Sequence, residues 1–514
     1  MIRKIKFKYI FVLLTLLLSI GLILAFTRGY AGSSVFFQND YNTQVGGPFE
    51  ASNSTSRYAL TESISKYKTF IFNKDEAKFS SPDVTEYGGK FFSTFTPGVS
   101  FIGVPFYLIG SLVGLPQIFT YFSVLIFSVF NLFLVAKLAR KFGAGLYASI
   151  LSGFIFLFAT NALPYSLAFT QHPMSVTFIL LALLNALGKR TIKNNILLGA
   201  YAGLALLIDI PNIIIMAPII LYVLFFHINI KKINDKFNLN FKFAGLFFLV
   251  GIIPLIILFG AYNLKTTGSF TKIGQTIGRS DYFRLQSPNQ NNLSSTQANE
   301  KQDKNYLIDV PFQTRNQING FYTLLLSNER SWLYYSPIIL LGILGLILAY
   351  RNPKTSTVAR LGASILSFNI VTYSMFGDPW GGWAYGPRYL IPGAAILAAG
   401  LGPVLLIWKK KPIFFVLFFL LFSYSVYVNT LGALTTNSIA PKVEAVNLKP
   451  AIPYTYEYNL KFIDENRSGN LIYNSWLNNY ISLKNFWYSS IVVIVVIGIL
   501  GYLSALKEKG ENSV

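Results

Sequence analysis

Cysteine is missing from all 514 residues, and histidine occurs only twice, as His172 and His227. The first absence excludes disulfides, thiolate catalysis and cysteine-ligated metals. The second leaves no multi-histidine metal site to build, because the two lie far apart in the chain. Charge is also scarce: 12% of residues are charged and 53% are hydrophobic, against roughly 25% charged in soluble domains. A soluble protein of this size could not hide so much apolar surface. Acid is the scarcer sign, with 21 Asp and Glu against 43 Lys and Arg and a net charge of +22. A nucleic-acid binder would gather such an excess on one soluble face with aromatics interleaved. Here the cations fall instead in short clusters between apolar runs, so no nucleic acid is expected as a partner.

Those runs are charge-free blocks of 13 to 21 residues, most of them near the length that crosses a hydrocarbon core as helix. They lie at 10–26, 118–135, 146–163, 174–187, 196–208, 213–226, 243–262, 331–349, 361–376, 390–406, 413–428 and 486–506. The expected fold is an all-α polytopic membrane protein of about 12 transmembrane helices. The first run follows a basic start but no small-residue cleavage site, and reads as an uncleaved helix. Breaking 196–226 at Asp209-Ile210-Pro211 gives two spans and preserves the parity of everything downstream. Threaded from a cytoplasmic N-terminus, every basic cluster then falls on one side: 3–8, 137–141, 189–193, 231–242, 351–360, 409–411 and 507–509, together 22 of the 43 cations. This is the positive-inside pattern, with both termini cytoplasmic in a multi-pass cell membrane protein.

The opposite side carries three large loops, 27–117, 263–330 and 429–485, and 18 of the 21 acids. Carboxylate chemistry therefore belongs to the extracytoplasmic face. The expected organisation is a core over 1–428, including the outer loops 27–117 and 263–330, followed by an outer loop and final helix over 429–514. Within the first loop, 99–115 is apolar but broken by Pro105 and glycines, and is expected as an interfacial helix or the lead into the second span. Asp209, followed closely by proline, reads as a helix cap. Sequons at Asn53, Asn292 and Asn466 all fall in outer loops and read as chance triplets in Asn-rich sequence.

The most unusual outer segment is GDPWGGWAYGPRYLIP, residues 377–392, which sets one Arg where a helix enters the membrane. A guanidinium there needs an anionic or carbonyl partner, and it matches phosphate through bidentate hydrogen bonds. The chain at this point resembles the GT-C membrane glycosyltransferases, especially bacterial and archaeal relatives of the protein O-mannosyltransferases. The resembling elements are collinear: SRYAL at 56–60, DVTEYGGKFFSTFTPGVSFIGVP at 83–105, LPYS at 163–166 with QHP at 171–173, YN at 262–263 with GS at 268–269, LSNERSWLYYSP at 326–337 and GPRYLIP at 386–392.

The resemblance implies transfer of a sugar from a polyprenyl- or dolichyl-phosphate donor to a glycan, lipid or protein hydroxyl outside the membrane, with inversion at the anomeric carbon. Such chemistry asks for an outer carboxylate as base and for cationic groups around the phosphate. The family's acidic pair is replaced here by Thr55 and Ser56, and its Lys by Phe95 and Thr96, so the usual base does not carry over. The outer acids Asp40, Glu50, Glu62, Asp83 and Glu86 are its substitutes, with Asp83 first and Asp40 and Glu62 after it. Arg388 and Arg57 are the expected phosphate ligands, assisted by Tyr385 and His172. No cofactor is expected; a divalent metal is left open. The competing functions are a flippase or transporter of a polyprenyl-linked glycan, which would show polar residues at mid-span, and a surface-polysaccharide polymerase or ligase.

Overall fold

The computed structural model describes residues 2–29, 46–233, 236–280 and 312–508. Asp40 and the sequon at Asn292 lie outside them.

The apolar blocks form helices because they carry long runs of Leu, Ile, Phe and Ala, and in an apolar medium the backbone must satisfy its own hydrogen bonds; the internal prolines Pro105, Pro218, Pro254 and Pro403 are tolerated. In chain order the principal helices are α1 (Ile2–Ala25), α2 (Ser52–Glu62), α3 (Gly98–Leu112), α4 (Pro116–Lys141), α5 (Leu146–Phe158), α6 (His172–Ala186), α7 (Ile192–Ile208), α8 (Pro211–His227), α9 (Phe247–Thr267), α10 (Leu341–Arg351), α11 (Ser356–Ser374), α12 (Ile391–Trp408), α13 (Pro412–Leu434) and α14 (Leu483–Leu506). Among the described residues five helices are long and apolar enough to cross a membrane: Pro116–Lys141, Phe243–Thr267, Arg388–Trp408, Pro412–Leu434 and Leu483–Leu506. Seven more are apolar but shorter.

Two expected spans are broken. The block 146–163 ends as a helix at Phe158 and resumes as the five-residue helix Ala162–Ser166; the block 331–349 is interrupted at Ser336, ahead of Pro337. Proline disfavours helical geometry in the residue before it, which accounts for the second break. The apolar stretch 99–115 is a separate helix, α3, parted from α4 by Gly114 at φ 73°. Leu108, Ile109 and Leu112 on it stay exposed. The boundary expected after residue 428 falls within α13.

Two antiparallel hairpins are added to the helices. β1 (Val84–Tyr87) pairs with β2 (Lys90–Ser93) through Gly88-Gly89, both at positive φ as a tight hairpin turn requires; β3 (Ile228–Ile233) pairs with β4 (Lys236–Phe241).

α12 is the core. It is apolar all round and almost wholly buried, whereas α9 and α14 leave most of their apolar surface outside the protein, as lipid-facing helices do. α10 crosses α12 on glycines: a Cβ at Gly345 would stand 1.6 Å from the Gly400 carbonyl oxygen, and one at Gly342 1.9 Å from that of Leu397. Small residues let membrane helices approach this closely.

The polar groups sort to opposite ends. At one, Lys409 donates to the carbonyls of Ala505 and Glu508, both at 2.6 Å, and Glu508 accepts from the Tyr147 amide. Arg190 and Lys242 also meet here, over the ring of Phe226. At the other end Arg28, beyond α1, bridges to Asn470, and the amide of Leu471 donates to Thr27.

Gly345→Val is expected to lower the unfolding midpoint in detergent clearly, since overpacking costs about 1–3 kcal/mol. Gly21→Val on α1, where a Cβ meets nothing within 4 Å, is expected to leave it unchanged.

Candidate active site

Four arginines gather at the end bearing Arg28, and their hydrogen bonding divides them. Arg330 is fully buried and satisfied by carbonyls: Nε donates to Trp380, Nη1 to Glu329 and Tyr454, and Nη2 to Ile439 and Ala440. It ties the loop 377–387 to the segment 438–454. Arg28 does similar work, donating to the carbonyls of Ala433 and Gly432 and to Asn437 Oδ1, while its buried Nη1 makes no hydrogen bond among the described residues and faces Glu50 at 3.9 Å.

Arg57 and Arg388 differ. Each has a buried Nε with no hydrogen-bond partner among the described residues. Such a group costs about 1–3 kcal/mol unless something fills it, so two in one place call for a ligand. Arg57 stands on α2, donates Nη1 to the Asn53 carbonyl at 2.8 Å and lies 4.1 Å above the Phe95 ring. Phe95 is delivered by the turn into α3, where a Cβ on Gly98 would sit 2.4 Å from the Leu207 backbone. That close approach seats the turn on the end of α7. Arg388 follows a loop whose glycines 381, 382 and 386 all have positive φ. A side chain at Gly381 would meet Arg388 Nε at 2.8 Å.

Between the two arginines lies Asp209, in extended conformation at the C-terminal end of α7. Its carboxylate accepts from the Gln171 side chain and the Ile210 amide and faces Arg57 and Arg388. The expectation of a simple cap is therefore corrected: the Pro211 break turns the carboxylate toward the cations. Burial raises its pKa to about 6, opposed by Arg57. Burial lowers that of Arg57 to about 10, opposed by Asp209 and Asp83; Arg57 stays a cation at neutral pH. His172 begins α6 beside this group, edge-on to Tyr165 with ring centres 4.8 Å apart, and its Nε2 also lacks a partner among the described residues. So do the Thr170 hydroxyl and Gln171 Oε1.

Outward of Arg388 lies a narrow cleft of about 10 Å³, lined among others by Glu50, Asn53, Tyr165, Thr170, Trp383 and Arg388. Glu50 accepts from the amides of Gly46 (3.0 Å) and Asn437 (3.1 Å) and from the Thr436 hydroxyl. Burial raises its pKa despite Arg28.

Arg57, Arg388 and His172 are thus brought together. Glu50 joins them in the cleft wall and Asp83 stands near Arg57, Asp40 lies outside the described residues, and Glu62, Tyr385 and Glu86 are engaged elsewhere. Asp83 is buried beside Arg57 but engaged, accepting from Ser52 Oγ at 2.6 Å and paired with Arg279 at 2.7 Å. Glu62 sits at the far end of α2 against Lys66 and Tyr107. The Tyr385 hydroxyl donates to the Val428 carbonyl, and its ring packs on Gly432. Glu86 accepts from Ser280. Asn53 is buried, which does not suit a glycosylation acceptor. Among the described residues no three His, Asp or Glu converge as a metal site. The sequence marked the segments that contain Gln171 and Trp383 without giving either a role, passed over Thr170, and set Glu50 behind other acids, because their partners are distant in the chain.

No family model matches the chain, and no curated protein sequence matches it either. Solved structures do. ArnT from Cupriavidus metallidurans, in the apo state, aligns over 96% of this chain and 76% of its own at 13% identity and a TM-score of 0.51. The archaeal oligosaccharyltransferase AglB from Archaeoglobus fulgidus, in complex with an inhibitory peptide and a dolichol-phosphate, aligns over 84% of this chain at 14% identity and a TM-score of 0.49. The alignment spans 57% of the AglB chain. The fold of this chain is the one ArnT has.

Asp209 sets an expected pH dependence. Its folded pKa lies above the unfolded value, so its contribution to stability is greatest at low pH and is lost as pH rises through about 6. Below that point Asp209 is neutral and the arginines lose their counter-charge. Binding of a phosphodiester, singly charged throughout, should tighten as pH falls from 7 to 5. Asp209→Asn should bind as the low-pH form does and flatten the profile. Affinities measured by titration at several pH values check this.

Proposed function

We propose that the chain transfers a sugar from a polyprenyl-phosphate donor to an acceptor hydroxyl at the membrane end where these arginines lie, the extracytoplasmic one. The observation that carries this reading is the pair of buried, unpartnered Nε groups on Arg57 and Arg388 beside a carboxylate-lined cleft. The fold shared with ArnT supports it. So does the segregation of basic clusters to the opposite end, the pattern of a cytoplasmic face.

Arg57 and Arg388 hold the phosphate. Guanidinium forks suit its oxygens. The acceptor oxygen attacks the anomeric carbon, and the bond from that carbon to the phosphate oxygen breaks. The electron pair passes to the phosphate, which leaves as polyprenyl phosphate, its growing charge met by the two arginines. The acceptor proton passes to a carboxylate of the first outer loop. Glu50 is the described acid that lines the cleft with Arg388, and its raised pKa brings it nearer to neutral pH, where a general base works best. Attack from the face opposite the leaving phosphate inverts the anomeric centre.

Purified protein given radiolabelled polyprenyl-phosphate sugars and candidate acceptors is expected to release polyprenyl phosphate. Arg388→Ala and Arg57→Ala should each lower kcat/KM by about 100-fold, as loss of a charged transition-state contact does. Glu50→Gln should lower kcat by at least as much while leaving donor affinity near wild type. Full activity in all three variants would overturn the assignment.

A further inference from the structure

α7 and α8 are joined beside Asp209, so the start of α7 and the end of α8 lie together at the end of the molecule away from the arginine site. The segments 189–193 and 231–242, which flank these two helices there, contain seven Lys and Arg against one acid, Asp235, which lies outside the described residues. Among the described residues neither Arg190 nor Lys242 has an ion-pair partner.

Aromatic rings hold the two cations instead. The Arg190 guanidinium lies 4.9 Å from the centre of the Tyr222 ring and 5.1 Å from that of Phe226, and Lys242 Nζ lies 5.2 Å from the same Phe226 ring. Stacking of this kind uses the face of a guanidinium and leaves its in-plane donors free to fork around an anion. Lys242 is fixed through its backbone: its amide donates to the His227 carbonyl at 2.8 Å, closing the base of the β3–β4 hairpin. His227 sits edge-on to Phe226, with ring centres 5.8 Å apart. Asn195 Nδ2, which donates to the Ala244 carbonyl at 2.7 Å, stands 3.2 Å from His227 Nε2. With Nε2 accepting from Asn195, the ring proton is on Nδ1. That buried nitrogen has no partner among the described residues. Three groups that donate thus surround one ring, and no carboxylate among the described residues answers them.

The surface beside them is apolar. Phe225, Phe226, Phe243 and Leu246 are exposed, and Phe243 opens a membrane-length helical segment that leaves most of its surface outside the protein. A free anion would meet only the cations; a ligand that joins a phosphate to acyl chains meets both surfaces. We propose that Arg190 and Lys242 bind the headgroup phosphate of an acidic phospholipid in the leaflet opposite the arginine site, its chains lying on Phe225, Phe243 and Leu246. The headgroup supplies the counter-charge that the chain does not, and ties the start of α7, the end of α8 and the hairpin base together. Naming that leaflet cytoplasmic rests on the orientation read above; the site itself does not depend on the chemistry at the other end.

The full-length protein in detergent is titrated with dioctanoyl phosphatidylglycerol, with dioctanoyl phosphatidylcholine and with inorganic phosphate. The wild type is expected to bind the acidic lipid about tenfold more tightly than the zwitterionic one, to gain in unfolding midpoint as it does so, and to keep the lipid in millimolar phosphate. Arg190→Gln and Lys242→Gln should each weaken the acidic lipid by about fivefold, the worth of one cation near an anionic surface, and leave phosphatidylcholine unchanged. A variant whose lipid-free midpoint falls is still read by its ratio of affinities for the two lipids, which a folding defect does not change. The pair Lys410→Gln and Lys411→Gln, which removes two exposed cations from the same end, should change neither. Equal weakening by that pair would reduce the effect to overall surface charge and overturn the site. So would a wild type without preference for the acidic lipid, a preference that survives both Arg190→Gln and Lys242→Gln, or phosphate that displaces the lipid, the mark of a free-anion site.

Discussion

The constraint on which the outer end of the molecule is built is the burial of two guanidinium groups, Arg57 and Arg388, with one shared carboxylate. A buried cation needs a counter-charge and hydrogen-bond acceptors, and here the acceptors are incomplete: Asp209 faces both arginines, with Asp83 near Arg57 and Asp378 near Arg388, yet each arginine retains an Nε unpartnered among the described residues. Arg330, in the same region, shows what the fold does with an arginine meant only to hold loops together. Its donors end on backbone carbonyls. The shortage at Arg57 and Arg388 is therefore local, and an anion of one or two charges would relieve it.

The scaffold serves that arrangement. α12 fills the centre of the bundle and carries Arg388 at its outer lip. The helix pair α7 and α8, parted at Pro211, brings Asp209 to the same depth, and α2 presents Arg57 from the first outer loop. The loop around Trp383 needs its glycines at positive φ to reach Arg388, and it needs Arg330 to fix it against the segment after α13. Four separate stretches of chain thus converge on a site that none could form alone. The fold they share with ArnT is the only part of this likeness that 13% identity can carry.

Much of this was legible in the sequence. Most of the apolar blocks gave helices, two of them broken where a continuous span was expected, and the basic segments at 409–411 and 507–509 meet at one end, where Lys409 contacts Ala505 and Glu508. Arg388 stood out as a cation where an apolar helix enters the membrane, and Arg57 and His172 were marked by the SRYAL and QHP elements. The acids were harder. Asp83 and Glu50 look alike in sequence, yet one is engaged by Arg279 and the other lies in the cleft held by Thr436 and Asn437, hundreds of residues away. Asp209 looked like a cap because a proline follows it closely; its backbone does end a helix, but its carboxylate answers to cations from two other elements. Such pairings are set by packing between helices, and no local pattern encodes them.

The central claim is that the two arginines are a phosphate site. An experimental structure of the protein with polyprenyl phosphate bound tests it most directly. The account predicts phosphate oxygens within hydrogen-bond distance of Nε of both Arg57 and Arg388, with the lipid chain leaving toward the membrane. A phosphate held elsewhere, with both Nε atoms left as they are, would contradict it.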